Sequence, residues 1–229
     1  MFDAQDRLTS YGPNSYTYTP NGELLTKTDA SGTTTYTYDF FGSLIKAELP
    51  GNTVIDYLLD GQHRRIGKRV NGTLVQGLLY SGQLAPVAEL NGAGQVVSRF
   101  VYATHTNVPD YLVKGAVTYR VITDQLGSVR LVVNTSTGAV VQRLTYDEYG
   151  QVTENTSPGF QPFGYAGGLL DDQTSLVRFG AGTTTRSPDA GQPRTPWALA
   201  AASPTCMNTP TTIRSTPSIH RGCKHFKSA

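Results

Sequence analysis

Dipeptides that end in glycine and favour turns recur along this chain at a nearly constant interval. Consecutive glycines are nine to eleven residues apart in the series Asn21-Gly22, Ser31-Gly32, Phe41-Gly42, Pro50-Gly51, Asp60-Gly61, Asn71-Gly72, Ser81-Gly82 and Asn91-Gly92. Glycine adopts positive φ without a Cβ clash, and Asn-Gly and Asp-Gly are preferred in the two-residue turns of β-hairpins. Polar and apolar residues alternate between these turns, as in TTTYTYDF at residues 33–40. The series therefore predicts consecutive antiparallel hairpins.

Tyrosines recur at about twice the turn spacing, at Tyr18, Tyr38, Tyr57, Tyr80 and Tyr102. One repeat unit therefore contains two strands. Because a single hairpin cannot bury its own apolar face, neighbouring units must stack side by side. Only 16% of the residues are charged and 24 are glycine, which suits a turn-rich β architecture and argues against a helical bundle. We predict an all-β fold, built as one curled antiparallel sheet of repeated hairpins.

The second part of the body, residues 111–181, continues in the same style with less regular lengths. Three strands are predicted within residues 119–152, with turns at Leu126-Gly127 and Thr137-Gly138, and a fourth follows Tyr149-Gly150. A further short strand is predicted around residues 160–165. Asp124 and Asp147 are expected to cap their turns through hydrogen bonds from the backbone to the side chain.

The composition changes at Gly182. Residues 1–181 contain 13 Lys and Arg against 16 Asp and Glu (13 − 16 = −3), whereas residues 182–229 contain six against one (6 − 1 = +5). All 13 tyrosines precede Gly182, and both cysteines and the only tryptophan follow it. We expect residues 182–229 to form a tail of low order. Its basic residues are scattered among Pro and Thr without interleaved aromatic residues, so they do not predict nucleic-acid binding.

Candidate sites of chemistry are few. The tail contains Cys206, His220, Cys223 and His225, but zinc sites need paired ligands on tight turns and Cys206 has no close partner, so no metal site is predicted. His63 and His105 are the only histidines of the body, and their spacing to serine and aspartate does not indicate a catalytic triad. The carboxylate pairs Asp171-Asp172 and Asp147-Glu148 are expected to be solvated rather than catalytic. No cofactor motif is present, and no apolar run is long enough to span a bilayer.

Several segments together resemble a known family. YTYDFFGSLIK at residues 36–46 resembles the YD repeat, and residues 119–132, 143–152 and 161–181 resemble in turn the successive motifs of the Rhs repeat-associated core region. The residues that carry the motifs are Tyr38, Asp39, Gly42, Tyr119, Asp124, Gly127, Tyr146, Asp147, Gly150, Gly164 and Arg178. The resemblance implies YD-repeat hairpins over residues 1–110 and a truncated core region over residues 111–181.

In that family, which comprises secreted and cell-surface proteins, YD repeats build a spiralled β-shell around a variable C-terminal toxin. The resemblance therefore implies that this chain is a fragment of such a shell, with the rest of the shell and a toxin domain as partners. The opening MFDAQDRLTS begins within the repeat pattern, which also suggests a fragment. The sequence does not assign a cellular location to the chain itself.

The family core ends in Tyr-Asp-Pro-x-x-Gly-Arg-Trp, the site of autoproteolysis, and this ending is missing after Ala181. With suitable synonymous codons, however, GTTTRSPDAG at residues 182–191 encodes Asp-Tyr-Asp-Pro-x-x-Gly-Arg-Trp in the neighbouring frame. Further along, Trp197-Ala198 forces Gly in that frame, and Met207-Asn208 forces Glu, as the family ending requires. We therefore interpret the tail as a frameshifted reading of the core's C-terminal motif.

Three functions follow from the resemblance. The first is encapsulation, in which the chain contributes part of a wall around a toxin. The second is a cell-surface or glycan-binding adhesion module that presents its repeats outward, although cross-strand packing is the default explanation for the exposed Tyr and Thr residues. The third is a remnant of the core autoprotease. Since part of the catalytic apparatus would come from the missing ending, we expect no enzyme activity.

Overall fold

The computed structural model describes residues 1–180 and the backbone of Gly182–Thr185. This part of the chain is almost entirely β-structure, which confirms the predicted fold class. The strands are β1 (Ser10–Tyr11), β2 (Asn14–Tyr18), β3 (Leu24–Asp29), β4 (Gly32–Tyr38), β5 (Leu44–Leu49), β6 (Thr53–Leu59), β7 (Arg65–Val70), β8 (Thr73–Ser81), β9 (Ala85–Asn91), β10 (Val96–Val101), β11 (Tyr111–Lys114), β12 (Val117–Thr123), β13 (Val129–Asn134), β14 (Val140–Tyr146), β15 (Val152–Asn155), β16 (Leu169–Asp171), β17 (Leu176–Phe179) and β18 (Gly182–Thr185). A short 3₁₀ turn lies at Tyr165–Gly167.

Strands β1 to β15 form one antiparallel sheet in which the spatial order is the order in the sequence. The predicted meander of hairpins is therefore confirmed. The three strands predicted within residues 119–152 are β12, β13 and β14, and the fourth, predicted after Tyr149-Gly150, is β15. The sheet runs without interruption past residue 110, where sequence analysis divides the repeats from the core region. Strand β10 pairs there with β11, from Ser98↔Lys114 to Val101↔Tyr111.

A β-bulge interrupts the ladder at the same place in six hairpins, just before the tyrosine or its equivalent. The register shifts at Thr17/Tyr18, Thr37/Tyr38, Leu58/Leu59, Leu79/Tyr80, Ile122/Thr123 and Thr145/Tyr146. A bulge bends its strand and increases the right-handed twist. Because the bend recurs in every second connection along most of the sheet, it favours a curled sheet over a flat one.

The two clusters of buried apolar side chains lie on one side of this sheet, which we call the inner face. One cluster contains Tyr16, Tyr36, Leu44 and Ile55 from the N-terminal strands together with Leu176. A second cluster is formed by Phe100, Leu112, Val121, Val129, Val132 and Leu144 together with Val108 and Phe163. Each large apolar side chain buried in this way contributes roughly 1.5–3 kcal/mol to folding. Since Phe163 and Leu176 follow β15 in sequence, the segment of residues 157–179 lies on the inner face; we call it the covering segment.

The covering segment contains β16 and β17, which form a separate three-stranded sheet in which β17 pairs with both β16 and β18. The strand predicted at residues 160–165 does not form, and a single bridge, Phe163↔Leu169, stands in its place. The Gln161 side chain explains the difference, because it accepts a hydrogen bond from the Phe163 N–H (2.6 Å) and donates one to the Phe163 carbonyl (2.8 Å). Strand β18 begins at Gly182, on the far side of the predicted boundary between body and tail.

Candidate functional site

The YD motif residues form a repeated five-residue turn. Asp39 accepts hydrogen bonds at Oδ1 from the backbone N–H groups of Phe41 (2.9 Å) and Ser43 (2.8 Å). Gly42, the fourth residue, has φ +74° and donates its N–H to the Asp39 carbonyl (3.1 Å). The aspartate thus satisfies backbone donors that no ladder partner reaches.

The turns that begin at Asp124 and Asp147 repeat this arrangement. Asp124 accepts from the N–H groups of Leu126 (3.0 Å) and Ser128 (2.9 Å). Asp147 likewise accepts from Tyr149 (3.0 Å) and Gln151 (2.8 Å). The prediction that both aspartates cap turns is confirmed. The fourth residues, Gly127 and Gly150, have φ +84° and +82°.

In two of the predicted turns, the residue with positive φ is not the expected glycine. In the turns that begin at Asp60 and Asn91, the residues with positive φ are His63 (+57°) and Gly94 (+78°), rather than the glycines at positions 61 and 92. Both turns belong to the five-residue type, in which the first residue caps and the fourth is left-handed. Asn71-Gly72 is the expected two-residue hairpin turn, with positive φ at both residues and the flanking pair Val70↔Thr73.

Five tyrosines, three of which directly precede a capped turn, join one repeat to the one before. The Tyr38 hydroxyl donates to the Leu24 carbonyl (2.9 Å), and Leu24 directly follows the preceding turn. Four other tyrosines make the same kind of bond: Tyr18 to Leu8 (2.8 Å), Tyr80 to Arg65 (2.9 Å), Tyr102 to Pro86 (2.7 Å) and Tyr146 to Val129 (2.9 Å). We call this bond the tyrosine latch. Burial raises the pKa of Tyr80 to about 12, so the phenol stays neutral and donates.

Three latches carry an additional arginine. Arg64 bonds the cap residue Asp60 through Nε (2.7 Å), and its guanidinium lies 5.1 Å from the ring centre of Tyr80. Arg7 with Asp3 and Tyr18, and Arg130 with Asp124 and Tyr146, repeat this arrangement. The side chains are partly exposed, so each ion pair and cation–π contact contributes a modest stabilisation.

The outer face of the sheet carries threonines that bond to each other across strands. The hydroxyls of Thr17 and Thr26 lie 2.6 Å apart, those of Thr28 and Thr33 lie 2.8 Å apart, and a third pair joins Thr145 and Thr153 (2.8 Å). These contacts agree with cross-strand packing as the explanation for the exposed threonines.

The remaining motif residues fix the covering segment. Tyr119 makes an edge-on contact with Phe160 at 5.2 Å between ring centres. A Cβ on Gly164 would lie 2.9 Å from the Leu170 Cβ, so this position has no room for a side chain. Arg178 is buried, and its Nη2 donates to the His63 carbonyl. Burial lowers the pKa of Arg178 to about 10.

The structure also places a charged pair on the inner face that sequence analysis missed. Asp171 is 3% exposed and accepts hydrogen bonds from Lys68 Nζ (2.8 Å) and the Tyr57 hydroxyl (2.9 Å). The prediction that Asp171-Asp172 is solvated is therefore wrong for Asp171, because β16 turns this side chain inward and leaves only Asp172 exposed. Burial alone would raise the pKa of Asp171, but the charges of Lys68 and Arg65 and the hydrogen bonds hold it below its ordinary value.

Arg65 lies beside this pair. Its guanidinium stacks on the Tyr57 ring at 3.8 Å from the ring centre, and the residue is 4% exposed. Among the described residues its Nε and Nη2 have no hydrogen-bond partner. A cavity of about 260 Å³ lies between the inner face and the covering segment, lined by Arg65, Lys68, Glu89, Gln161, Asp171 and Gln173 among others. We call Tyr57, Arg65, Lys68, Asp171 and Arg178 the inner ionic cluster.

His63 lies close to an aspartate and a serine without forming a catalytic triad. Its Nδ1 is 3.7 Å from Asp39 Oδ2 and 3.4 Å from Ser43 Oγ. A triad needs the two partners on different ring nitrogens, and here both contact the same one. Within residues 1–180 no group of three or more potential ligands could hold a metal ion. The tail residues Cys206, His220, Cys223 and His225 lie outside the described residues.

The sequence of this chain matches the teneurin YD-shell family over residues 1–190. It is 27% identical to human teneurin-4 over 184 residues, which cover 78% of this chain and 6% of teneurin-4. It is 28% identical to chicken teneurin-1 over 185 residues, which cover 78% of this chain and 7% of teneurin-1. The crystal structure of TcdB2-TccC3-TEV is similar over 80% of this chain and 9% of that chain, with 17% identity and a TM-score of 0.39. No helix among the described residues is long and apolar enough to cross a membrane.

Proposed function

Because this chain belongs to the teneurin YD-shell family, we propose that it forms part of the wall of a β-shell, and that this wall encloses a polypeptide in a longer protein. The observation that carries the proposal is the continuous sheet of fifteen strands in sequence order, whose apolar residues face inward. A wall of this kind grows by adding hairpins, and the tyrosine latch joins most of the repeats to the previous one.

The enclosed polypeptide, in this proposal, is a C-terminal toxin. Support comes from the order of the motifs within residues 119–181, which resembles the core region that precedes such toxins. The sequence of the coding locus tests this point directly. Further YD repeats in frame upstream and a toxin gene segment with an immunity gene downstream would support encapsulation. A locus that has neither would contradict it.

Protection from protease tests the wall itself. In the longer protein encoded at the locus, an enclosed polypeptide should resist a protease that cleaves it within minutes once the shell is unfolded in urea. The matched control is the same downstream polypeptide purified alone. Equal cleavage rates inside and outside the shell would contradict the proposal.

We expect no self-cleavage of the chain, since the family's terminal motif is absent from this reading frame. Intact mass measurement after prolonged incubation should give the full length. A cleavage product that ends near residue 181 would overturn this expectation.

The second candidate is an outward-facing binding module, and one observation favours it. Phe40 and Phe41, at the tip of a capped turn, are 95% and 69% exposed, and Phe41 packs against His63 at 4.8 Å between ring centres. Exposed aromatic residues at a rim are suited to contact a partner. Glycan-array binding that is lost in Phe40→Ser/Phe41→Ser and retained in Leu126→Ser, at another turn tip, would support this candidate.

A further inference from the structure

The cavity beneath the covering segment combines a buried cation with open space. Arg65 is more than nine-tenths buried, lines this cavity, and has no hydrogen-bond partner for Nε and Nη2 among the described residues. A buried guanidinium without an anionic partner is costly, since desolvation is not offset by hydrogen bonds. The stacking contact with Tyr57 offsets only part of that cost, because it satisfies no N–H group.

The charges around Arg65 leave the inner ionic cluster short of negative charge. Lys68 and Asp171 pair with each other, so the Asp171 carboxylate is already shared with Lys68 and the Tyr57 hydroxyl. Arg178 adds another buried cation, and its pKa is lowered first by burial and then by the charge of Arg65. Glu89 also lines the cavity, but burial raises its pKa, which favours its neutral form. One further negative charge would relieve the repulsion between Arg65 and Arg178.

The two N–H groups of Arg65 that lack a partner among the described residues indicate which anion would fit. Nε–H and Nη2–H of arginine point in parallel, so together they match the two oxygens of a carboxylate. The exposed Asp172 and the buried Asp171 also line the cavity, which makes a doubly charged phosphate less favourable than a singly charged group.

We propose that this cavity binds a carboxylate, held by the guanidinium of Arg65. The carboxylate is either a free small acid or an Asp or Glu side chain of another polypeptide segment, since both present the same two oxygens. Glu89 and Gln76, which bond each other at 2.7 Å on the neighbouring wall, lie within the same lining. The site is independent of the proposed shell function, because it requires only the inner face and the covering segment.

Thermal unfolding of the full chain tests the proposal, with sodium acetate, the blocked tripeptide acetyl-Gly-Asp-Gly-amide and inorganic phosphate as probes at constant ionic strength. At about ten times the dissociation constant, a carboxylate should raise the unfolding midpoint by about 4 °C in a saturable manner. A shift with acetate but not with the peptide indicates a free acid, and a shift with the peptide alone indicates a side chain. The neutral acetyl-Gly-Asn-Gly-amide should give no shift.

Arg65→Gln should abolish the shift, whereas Arg69→Gln, an exposed arginine on the same strand, should retain it. If Arg65→Gln fails to fold, the Nε–H resonance of Arg65 in the wild-type chain provides the readout, and it should move with acetate to saturation. The proposal is overturned if neither carboxylate probe shifts the midpoint, if the shift survives in Arg65→Gln, or if phosphate stabilises the chain more than acetate does.

Discussion

At the scale of single residues, the tyrosines of this chain have two distinct roles that the sequence does not separate. Tyr38 and Tyr80 belong to the latch and donate to a backbone carbonyl of the preceding repeat. Tyr57, which lies on the same sequence spacing, instead donates to Asp171 of the covering segment. Spacing predicts that a tyrosine recurs, but its partner depends on which strand or segment lies opposite, and that is set by the tertiary structure.

Tyr38→Phe removes only the latch hydroxyl and keeps the ring. We expect it to lower the free energy of unfolding by about 1–2 kcal/mol, because the Leu24 carbonyl loses a partner in a partly buried setting. Urea unfolding measures the change. Tyr11→Phe, at an exposed tyrosine, is the matched control and should change stability by less than about 0.5 kcal/mol. Equal effects of the two variants would show that the latch does not stabilise the chain.

The buried tyrosines also predict that the fold loses stability at high pH. Burial raises the pKa of Tyr36 and of Tyr80 to about 12, whereas a phenol in the unfolded chain titrates near 10. The stability that the neutral phenols contribute is therefore fully present below about pH 10 and is lost as the pH rises to about 12. We expect tyrosinate absorbance and loss of β-structure to rise in one cooperative transition across this window. Gradual ionisation near pH 10 with the fold intact would contradict the burial of these hydroxyls.

At the scale of the elements, the sequence predicts what is local. Turn residues and alternation indicate the hairpins and their order, because each strand pairs with its neighbour in sequence. The covering segment was not predictable in the same way, since its contacts join residues far apart, as in the bond between Lys68 and Asp171, 103 positions along the chain. Its irregular backbone is satisfied by side chains such as Gln161 rather than by a ladder, and alternation gives no signal for that.

Two repeats lack the latch tyrosine, with Leu59 and Thr123 in its place after the bulge, and restoring it at Leu59 provides a test at this scale. Leu59 precedes the capped turn at Asp60 as Tyr38 precedes the turn at Asp39, and both follow a bulge. By analogy with the bond from Tyr38 to Leu24, Leu59→Tyr should place its hydroxyl near the Leu44 carbonyl. We expect the free energy of unfolding to rise by about 0.5–1 kcal/mol relative to Leu59→Phe, which adds the ring without the hydroxyl. If the two variants are equally stable in urea, the latch does not transfer between repeats.

At the scale of the whole molecule, the sheet consists of similar hairpin units side by side, and the covering segment packs on its inner face. Most units contribute a bulge, a capped turn and inward apolar residues, and this agreement between levels favours a single fold. The sheet is bounded by the two-residue β1 and the four-residue β15, and short edge strands offer little template for pairing with other chains. The covering segment contacts residues far away in the sequence, whereas each strand of the large sheet pairs with its neighbour in sequence. We therefore infer that the covering segment docks after the hairpins have formed.

The frameshift interpretation of the tail makes a prediction at the level of the gene. Re-read one base earlier, the codons of Thr185-Arg186 must spell Pro, and those of Pro188-Asp189, Asp189-Ala190 and Ala190-Gly191 must spell Gly, Arg and Trp. Each requires a particular synonymous third base, so the coding DNA either contains these bases or does not. We expect sequencing across codons 175–230 to show the family ending intact in that frame.

The effect of the proposed frameshift on self-cleavage can be measured in the protein. A gene in which the frame is restored after Ala181 should yield a chain that continues into the family motif, and that chain should acquire the self-cleavage that we expect to be absent here. The unmodified gene, expressed in parallel, is the control. If the third bases exclude the motif, the tail is not a displaced reading of the core, and the match between residues 182–191 and the family ending is a product of codon degeneracy alone.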